Sequence, residues 1–491
     1  MIKRVLAHNV SCIVLLLFLV EVSLVNAQIF EQVQVISGLG NLENNNGVAV
    51  ADFDNDMDLD MFVVAWAQDA AGDETTQSKL YRNNNDGSFT DITAEVGLTN
   101  LHPVVDEIDG FFGLEGFKHG VSWGDYNNDG FPDLVFTHSN KLQLFINQNG
   151  IFTEVTAGVG LEQFSDCRHT GATWFDYNND GFLDLYVNDW DGCDTNSLYL
   201  NNTNGTFSNV TIETNIQDTA VNASYMAVPF DINDDGWMDL YVSNDLSQPN
   251  SLFVNQNGNS FIEQAELFGL DNMIDDMGIA VSDFNLDGAF DVFITGREDN
   301  DLFVNVGDNN FLDQTSLYNI TETGWSWGTR FADFDLDSDE DLIIVNGYDF
   351  QAEGAQNNVY YKNLTAEGLS GFEDSSEALN FNALTISVEA VDFDYDNDGD
   401  LDIYVTNSDQ QSMLYENKLL NYDEESTLQW FKIMLEGTVS NRDAIGARLT
   451  LRTNERDYVR HYTGVGFLSQ SLQAVHFGLS DAIQIEELEI K

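Results

Sequence analysis

The stretch Asp176-Tyr-Asn178-Asn-Asp180-Gly-Phe-Leu-Asp184-Leu-Tyr-Val187 decides the fold. Oxygen-bearing side chains stand at loop positions 1, 3, 5 and 9, glycine stands at position 6, and a short run of β-formers follows. The same pattern occurs at Asp52, Asp54, Asp56 and Asp60; at Asp125, Asn127, Asp129 and Asp133; and at Asp231, Asn233, Asp235 and Asp239. It returns at Asp283, Asn285, Asp287 and Asp291; at Asp333, Asp335, Asp337 and Asp341; and at Asp394, Asp396, Asp398 and Asp402. A repeat of roughly 50 residues with about four strands per unit predicts an all-β, seven-bladed β-propeller.

The spacing has a chemical reason. Side-chain oxygens at positions 1, 3, 5 and 9 can converge on one cation, with a carbonyl near position 7 and water completing the shell. Calcium accepts about six to eight oxygens in flexible geometry, whereas magnesium prefers a tight octahedron with several waters. Up to seven calcium ions are expected. An EF-hand shares the start of the loop but needs Glu at position 12 and a following helix. Position 12 here is Val63, Phe136, Val187, Val242, Ile294, Ile344 or Val405, so the loop joins two strands. Met57 and Ser338 replace the glycine, which marks the loops at Asp52 and Asp333 as the weaker sites.

Each repeat continues with a third-strand word ending in Asn, such as Ser197-Leu-Tyr-Leu-Asn201, and a fourth-strand word, such as Phe207-Ser-Asn-Val-Thr211. The last repeat has Met413-Leu-Tyr-Glu-Asn417 but no fourth word after it. That word stands at the other end, as Phe30-Glu-Gln-Val-Gln-Val35. The N-terminal strand is therefore expected to close the last blade and remove an exposed edge. These residues resemble the FG-GAP/VCBS family of calcium-loop propellers, which includes integrin α-chain propellers. The resemblance covers roughly residues 28–428 and implies calcium binding and an extracellular location.

The chain has 491 residues and a formal charge of −65, from 83 acidic and 18 basic side chains. That balance excludes binding nucleic acid through its phosphates, which needs clustered Lys and Arg. Residues 1–27 read as a secretion signal: Lys3 and Arg4, an apolar run from Val10 to Val20, and Val25-Asn26-Ala27 before Gln28. A membrane anchor is the alternative, but Glu21 shortens the run below the roughly 20 residues a span needs. Once Cys12 leaves with the signal, Cys167 and Cys193 remain. They flank the first two strands of the third blade, a placement that favours one disulfide over two free thiols.

From about residue 429 the composition changes. Residues 429–491 carry seven Lys/Arg against eight Asp/Glu, a net of −1, so the first part holds nearly all the negative charge. Gln429-Trp-Phe-Lys-Ile, Gly437-Thr-Val-Ser-Asn-Arg-Asp-Ala-Ile-Gly446-Ala, Gly464-Val-Gly466-Phe-Leu-Ser469-Gln470 and Val475-His-Phe-Gly478-Leu resemble the ASPIC/UnbV domain, named for cartilage acidic protein and bacterial relatives. This is expected to form a small C-terminal β domain. The family pattern usually runs on into a Trp-Pro-x-Gly segment, so the domain is expected to be incomplete at Lys491. The resemblance implies no reaction.

The loops opposite the metal gather Lys118, His119, His138, Arg168, His169 and Arg297, with Trp66, Trp190, Trp325, Trp327 and Tyr348 close by. Cations beside aromatic rings suit a sugar or a carboxylate. Alternatively, the cations neutralise neighbouring Asp residues and the Trp residues pack the channel. No nucleophile elbow, zinc-protease helix or phosphate loop is present. The expected function is extracellular binding or adhesion toward a glycan or protein ligand. The other readings are a polysaccharide-cleaving enzyme using His119 or His169 as base, and a purely structural matrix protein.

Overall fold

The computed structural model describes residues 30–39, 45–65, 78–98, 101, 120–138, 141–161, 168–190, 195–217, 223–297, 299–320, 323–348, 354–408, 410–422, 428–481 and 484–491. The signal segment, Lys118, His119, Trp66, Cys167 and Cys193 lie outside them, and so does the expected disulfide.

The fold is all-β. Every Asp-rich loop joins the first two strands of an antiparallel sheet, as the apolar residue at position 12 requires. In the third sheet His169–Phe175, Asp184–Asp189, Ser197–Asn201 and Phe207–Asn209 follow in order, with Phe175 opposite Asp184 across the loop. Sheets one to five keep this simple order, with first strands Asn45–Ala51, Val121–Gly124, His169–Phe175, Ser224–Phe230 and Asp276–Ser282. The sixth begins with Ser326–Ala332 and gains two short extra strands, Gly354–Asn357 and Leu384–Thr385. The first strands are buried nearly end to end, and each packs against the first strand of the next sheet.

The seventh sheet contains Ser387–Phe393, Asp402–Asn407, Met413–Asn417 and, as its fourth strand, Phe30–Gln32 from the N-terminus. The register pairs Phe30 with Asn417 and Gln32 with Tyr415. Its first strand, Ser387–Phe393, packs against Asn45–Ala51 of the first sheet. Thr406 Oγ1 donates to Asn46 O at 2.6 Å across the same junction.

Residues 428–491 form two small sheets. Leu428–Ile433 pairs with Val475–Asp481, and Ala447–Thr453 lies between Asp457–Tyr462 and Ile485–Ile490. Leu449, Leu451, Tyr458, Phe477 and Leu479 make their core. These sheets sit on the Asp-loop side of the molecule, a placement that the sequence reading lacked. One strand leaves them: Gln470–Leu472 runs parallel to Asn45–Ala51 and becomes a fifth strand of the first sheet.

Candidate metal centre

The loop is held by its own backbone. In the third loop Asp176 accepts N–H bonds from Asp180 (3.1 Å) and Gly181 (2.8 Å), Asn178 accepts from Asp180 (2.9 Å), and Asp180 accepts from Phe182 (3.0 Å). Such side-chain-to-backbone turns suit Asp and Asn. They need left-handed backbone at position 6, where φ is 88° at Gly181. Met57 (φ 75°) and Ser338 (φ 90°) adopt the same turn without being glycine. The substitution therefore introduces local strain and leaves the loop shape intact. The carboxylate oxygens of Asp52, Asp54, Asp56 and Asp60 lie within 4.8 Å of one another, as do those of Asp333, Asp335 and Asp337, and of Asp394, Asp396 and Asp402.

Position 9 is the buried end of each site. Asp60, Asp133, Asp184, Asp239, Asp291, Asp341 and Asp402 are at most 1% exposed. Each accepts a backbone N–H from the third-strand Asn of its own sheet: Asn83, Asn147, Asn201, Asn255, Asn305, Asn363 or Asn417, at 2.7–2.9 Å. Burial pushes the Asp60, Asp133 and Asp291 carboxyls up to about 9 and Asp239 to about 8. Asp60 Oδ2, Asp54 Oδ1 and Asp291 Oδ2 are buried and receive no hydrogen bond. Buried carboxylate oxygens without donors are costly unless a cation meets them. The donor set is all oxygen, so it fits a hard divalent ion of calcium type.

The third-strand Asn has a role that the sequence reading missed. Its side-chain N–H also reaches the position-2 carbonyl of the preceding loop: Asn147 to Phe53, Asn201 to Tyr126, Asn255 to Tyr177, Asn363 to Phe284 and Asn417 to Phe334, each at 2.8 Å. Asn83 does the same to Tyr395 at 2.7 Å, joining the first sheet to the last. A second relay links the loop tips. Asn55, Asn128 and Asn179, at position 4, donate to the Gly130, Gly181 and Gly236 carbonyls at 2.9–3.0 Å. Position 4 is Asp234 in the fourth loop and Leu336 in the sixth, which cannot donate in this way. The carbonyls that would be served there are met from the C-terminal sheets instead: Gly288 by Arg448 (2.7 Å) and Gly399 by the His476 ring (2.9 Å).

The C-terminal sheets therefore cap the metal-loop side. Asp443 accepts the Asp125 N–H at 2.6 Å, and burial beside Asp125 pushes its carboxyl up to about 7. Lys432 bonds to Asp394, and Ser480 N–H donates to Leu336 O at 2.9 Å. Glycine at 181 is required twice over, since a Cβ there would stand 2.6 Å from the Val439 carbonyl.

Residues 464–472 then descend between the first strands. Arg330 donates to Val465 O (2.9 Å) and Ser469 Oγ (2.7 Å), Glu389 accepts the Leu468 N–H (3.1 Å), and Gln470 accepts the Trp123 N–H. Phe467 packs against Tyr225 and Trp327, with ring centroids 5.5 and 5.7 Å apart. The Gly464-Val-Gly466-Phe-Leu-Ser469-Gln470 motif is thus a plug. Gly466 lets it pass, because a Cβ there would fall 2.2 Å from the Arg330 guanidinium.

This plug changes the reading of the opposite end. His169 is 3% exposed and pairs with Asp189. Trp190 and Trp327 are buried in the cluster that receives Phe467, and their indoles donate to Asp245 (3.0 Å) and Gly347 O (2.6 Å). These three residues are buried in the wall around the plug. Arg168 lies 5.9 Å from the Trp190 ring. Arg297, half-exposed, lies 4.6 Å over Trp325 and 3.9 Å from Asp275. His138 ends the second strand of sheet two.

A model described as FG-GAP-like repeat matches 125–187, 176–242, 231–294 and 283–344, and one described as ASPIC and UnbV matches 437–491. The chain is an FG-GAP repeat protein with a C-terminal ASPIC and UnbV domain. The FG-GAP repeats hold loops two to six, and the ASPIC and UnbV residues supply cap and plug. No curated protein matches the chain. Solved structures similar to it include an Agrocybe aegerita lectin described for specific recognition of non-reducing terminal N-acetylglucosamine, at 15% identity over 75% of this chain and 87% of that one, TM-score 0.41. BBS1N in complex with ARL6DN matches at 11% identity over 77% and 94%, TM-score 0.44. The extracellular domain of a one-component system from B. thetaiotaomicron matches at 10% identity over 87% of this chain and 44% of that one, TM-score 0.43. Among the described residues, no helix is long and apolar enough to cross a membrane.

Proposed function

We propose that this protein is a secreted, calcium-loaded propeller of seven blades, closed by its N-terminal strand, that binds an extracellular glycan or protein ligand. The observation that carries the calcium reading is the sevenfold set of buried position-9 carboxylates, with donorless oxygens at Asp54, Asp60 and Asp291. Calcium also relieves self-repulsion in a chain of net charge −65. Each independent site adds about 2.7 kcal/mol at 100 times its dissociation constant. The readings of residues 1–27 as a signal and of 28–428 and 429–491 as two domains belong to the same proposal.

The ligand is assigned to the side away from the metal loops, because cap and plug cover the loop side. The half-exposed Arg297 stacked on Trp325 is the group best suited there to a carboxylate or a sugar ring. The reading is of a binder rather than an enzyme: of the two candidate bases, His169 is sealed against Asp189 and His119 lies outside the described residues. The test is a glycan and protein array probed in calcium with wild type and Arg297→Ala. Retention that Arg297→Ala abolishes is expected. Turnover of acidic polysaccharides by the wild type would favour the enzyme reading instead.

A further inference from the structure

The sixth loop differs from the others in what stands among its ligands. Lys362, the third-strand residue before Asn363, bonds through Nζ to Asp335, to Asp337 Oδ2 at 2.8 Å and to Glu367 Oε1 at 3.3 Å. Asp335 and Asp337 are positions 3 and 5, the carboxylates that with Asp333 lie within 4.8 Å of one another. An ammonium group therefore bridges two of the oxygens that would hold a metal ion. The Lys362 side chain is only 24% exposed, so water screens this contact poorly.

The neighbouring repeats show why this is a property of one loop. The residue matching Lys362 is Ile146, Leu200, Val254 and Val304 in loops two to five, where position 3 is Asn. Those loops carry one carboxylate fewer and an apolar residue at the matching position. Loop one matches with Arg82, which acts on Asp54 electrostatically while Asp54 Oδ1 keeps no hydrogen bond. In loop seven Lys432 touches Asp394 alone, at position 1. Among the described residues, a chain cation bridges positions 3 and 5 in the sixth loop alone. A doubly charged ion on the same oxygens would face that ammonium at close range.

We propose that Lys362 occupies the cation position of the sixth loop, so that this loop is closed by an ammonium group in place of calcium. The proposal rests on the calcium reading of the remaining loops and lowers the expected load from seven ions to six.

Native mass spectrometry of the full chain in calcium counts the bound ions. Lys362→Met is expected to bind one calcium more than wild type, and Lys362→Arg to keep the wild-type count. Equal, non-zero counts for wild type and Lys362→Met would overturn the assignment, while a count of zero in both would remove the calcium reading itself. Crystals of the wild type grown in calcium give a second measurement that needs no variant to fold. Anomalous scattering should place an ion in the Asp180 loop and none between Asp335 and Asp337. Asp333 Oδ1 stays buried without a donor, so an ion on Asp333, Asp335 and Asp337 would overturn the proposal directly.

Discussion

At the scale of the residue, the position-9 aspartates couple stability to pH. Burial raises Asp60, Asp133 and Asp291 to about 9 and Asp239 to about 8 when no metal is bound. A raised carboxyl favours the folded state only while it is protonated. Its contribution is fully present below the ordinary carboxylate range and is lost as pH rises through the folded value. The melting temperature in chelator should therefore fall steadily from about pH 4 to about pH 9. Calcium should flatten or reverse that slope, because the ion needs the deprotonated form. Parallel slopes with and without calcium would show that these carboxylates do not hold the ion. Met57 supplies a second residue-scale prediction. It is 78% exposed and holds φ at 75°, so Met57→Gly removes strain and sacrifices little burial. Denaturant unfolding should show a gain of about 1 kcal/mol, set by the cost of left-handed backbone in a residue with a Cβ.

At the scale of the element, six of the sheets are tied to the one before through the last residue of the third strand. Asn201 takes part in bonds to Asp184, Tyr126 O, Leu183 O and Thr203 N–H, all within one buried side chain and its own amide. Asn201→Ala keeps the amide bond to Asp184 but leaves the Tyr126 carbonyl without that donor. The expected loss is about 2–3 kcal/mol, from buried groups left unpaired. Thermal melts should show it equally with and without calcium, since the loop's own oxygens remain. The sequence made the loops legible because four oxygens at fixed spacing have few other uses. It also made the N-terminal fourth strand legible, through a word missing at one end and present at the other. The third-strand Asn was in plain view in seven words, yet a lone Asn at a strand end does not say which carbonyl it meets across a gap of 75 to 94 residues or, for Asn83, 312. The plug was hidden for the same reason. Gly464 to Gln470 has no periodicity, and its partners Arg330 and Glu389 are 79 or more residues away.

At the scale of the whole molecule, two devices span the junction of the first and last sheets. On the outside, Phe30–Gln32 pairs with Met413–Asn417 while Ser37 O accepts the Phe89 N–H at 2.8 Å, so one N-terminal segment holds both sheets. On the inside, Gln470–Leu472 pairs with Asn45–Ala51 while Ser471 Oγ and Gln473 Nε2 donate to Asp392 O at 2.7 and 2.8 Å. The two devices share no residue, and the Asn83 bond to Tyr395 O belongs to neither. Removing residues 28–43 should therefore lower the melting temperature and expose the edge of Met413–Asn417, which invites association between chains. Removing residues 429–491 should lower it too, by uncovering Arg330, Glu389 and the Trp327 cluster. Removing both should cost more than the two losses added, because only then is the junction left to the packing of Asn45–Ala51 on Ser387–Phe393 and to single hydrogen bonds. Melting and solution scattering on wild type, each truncation and the pair would measure this. Strict additivity would show that the two devices act independently of one another, and a monomeric and equally stable chain beginning at residue 44 would show that the N-terminal segment does not hold the junction.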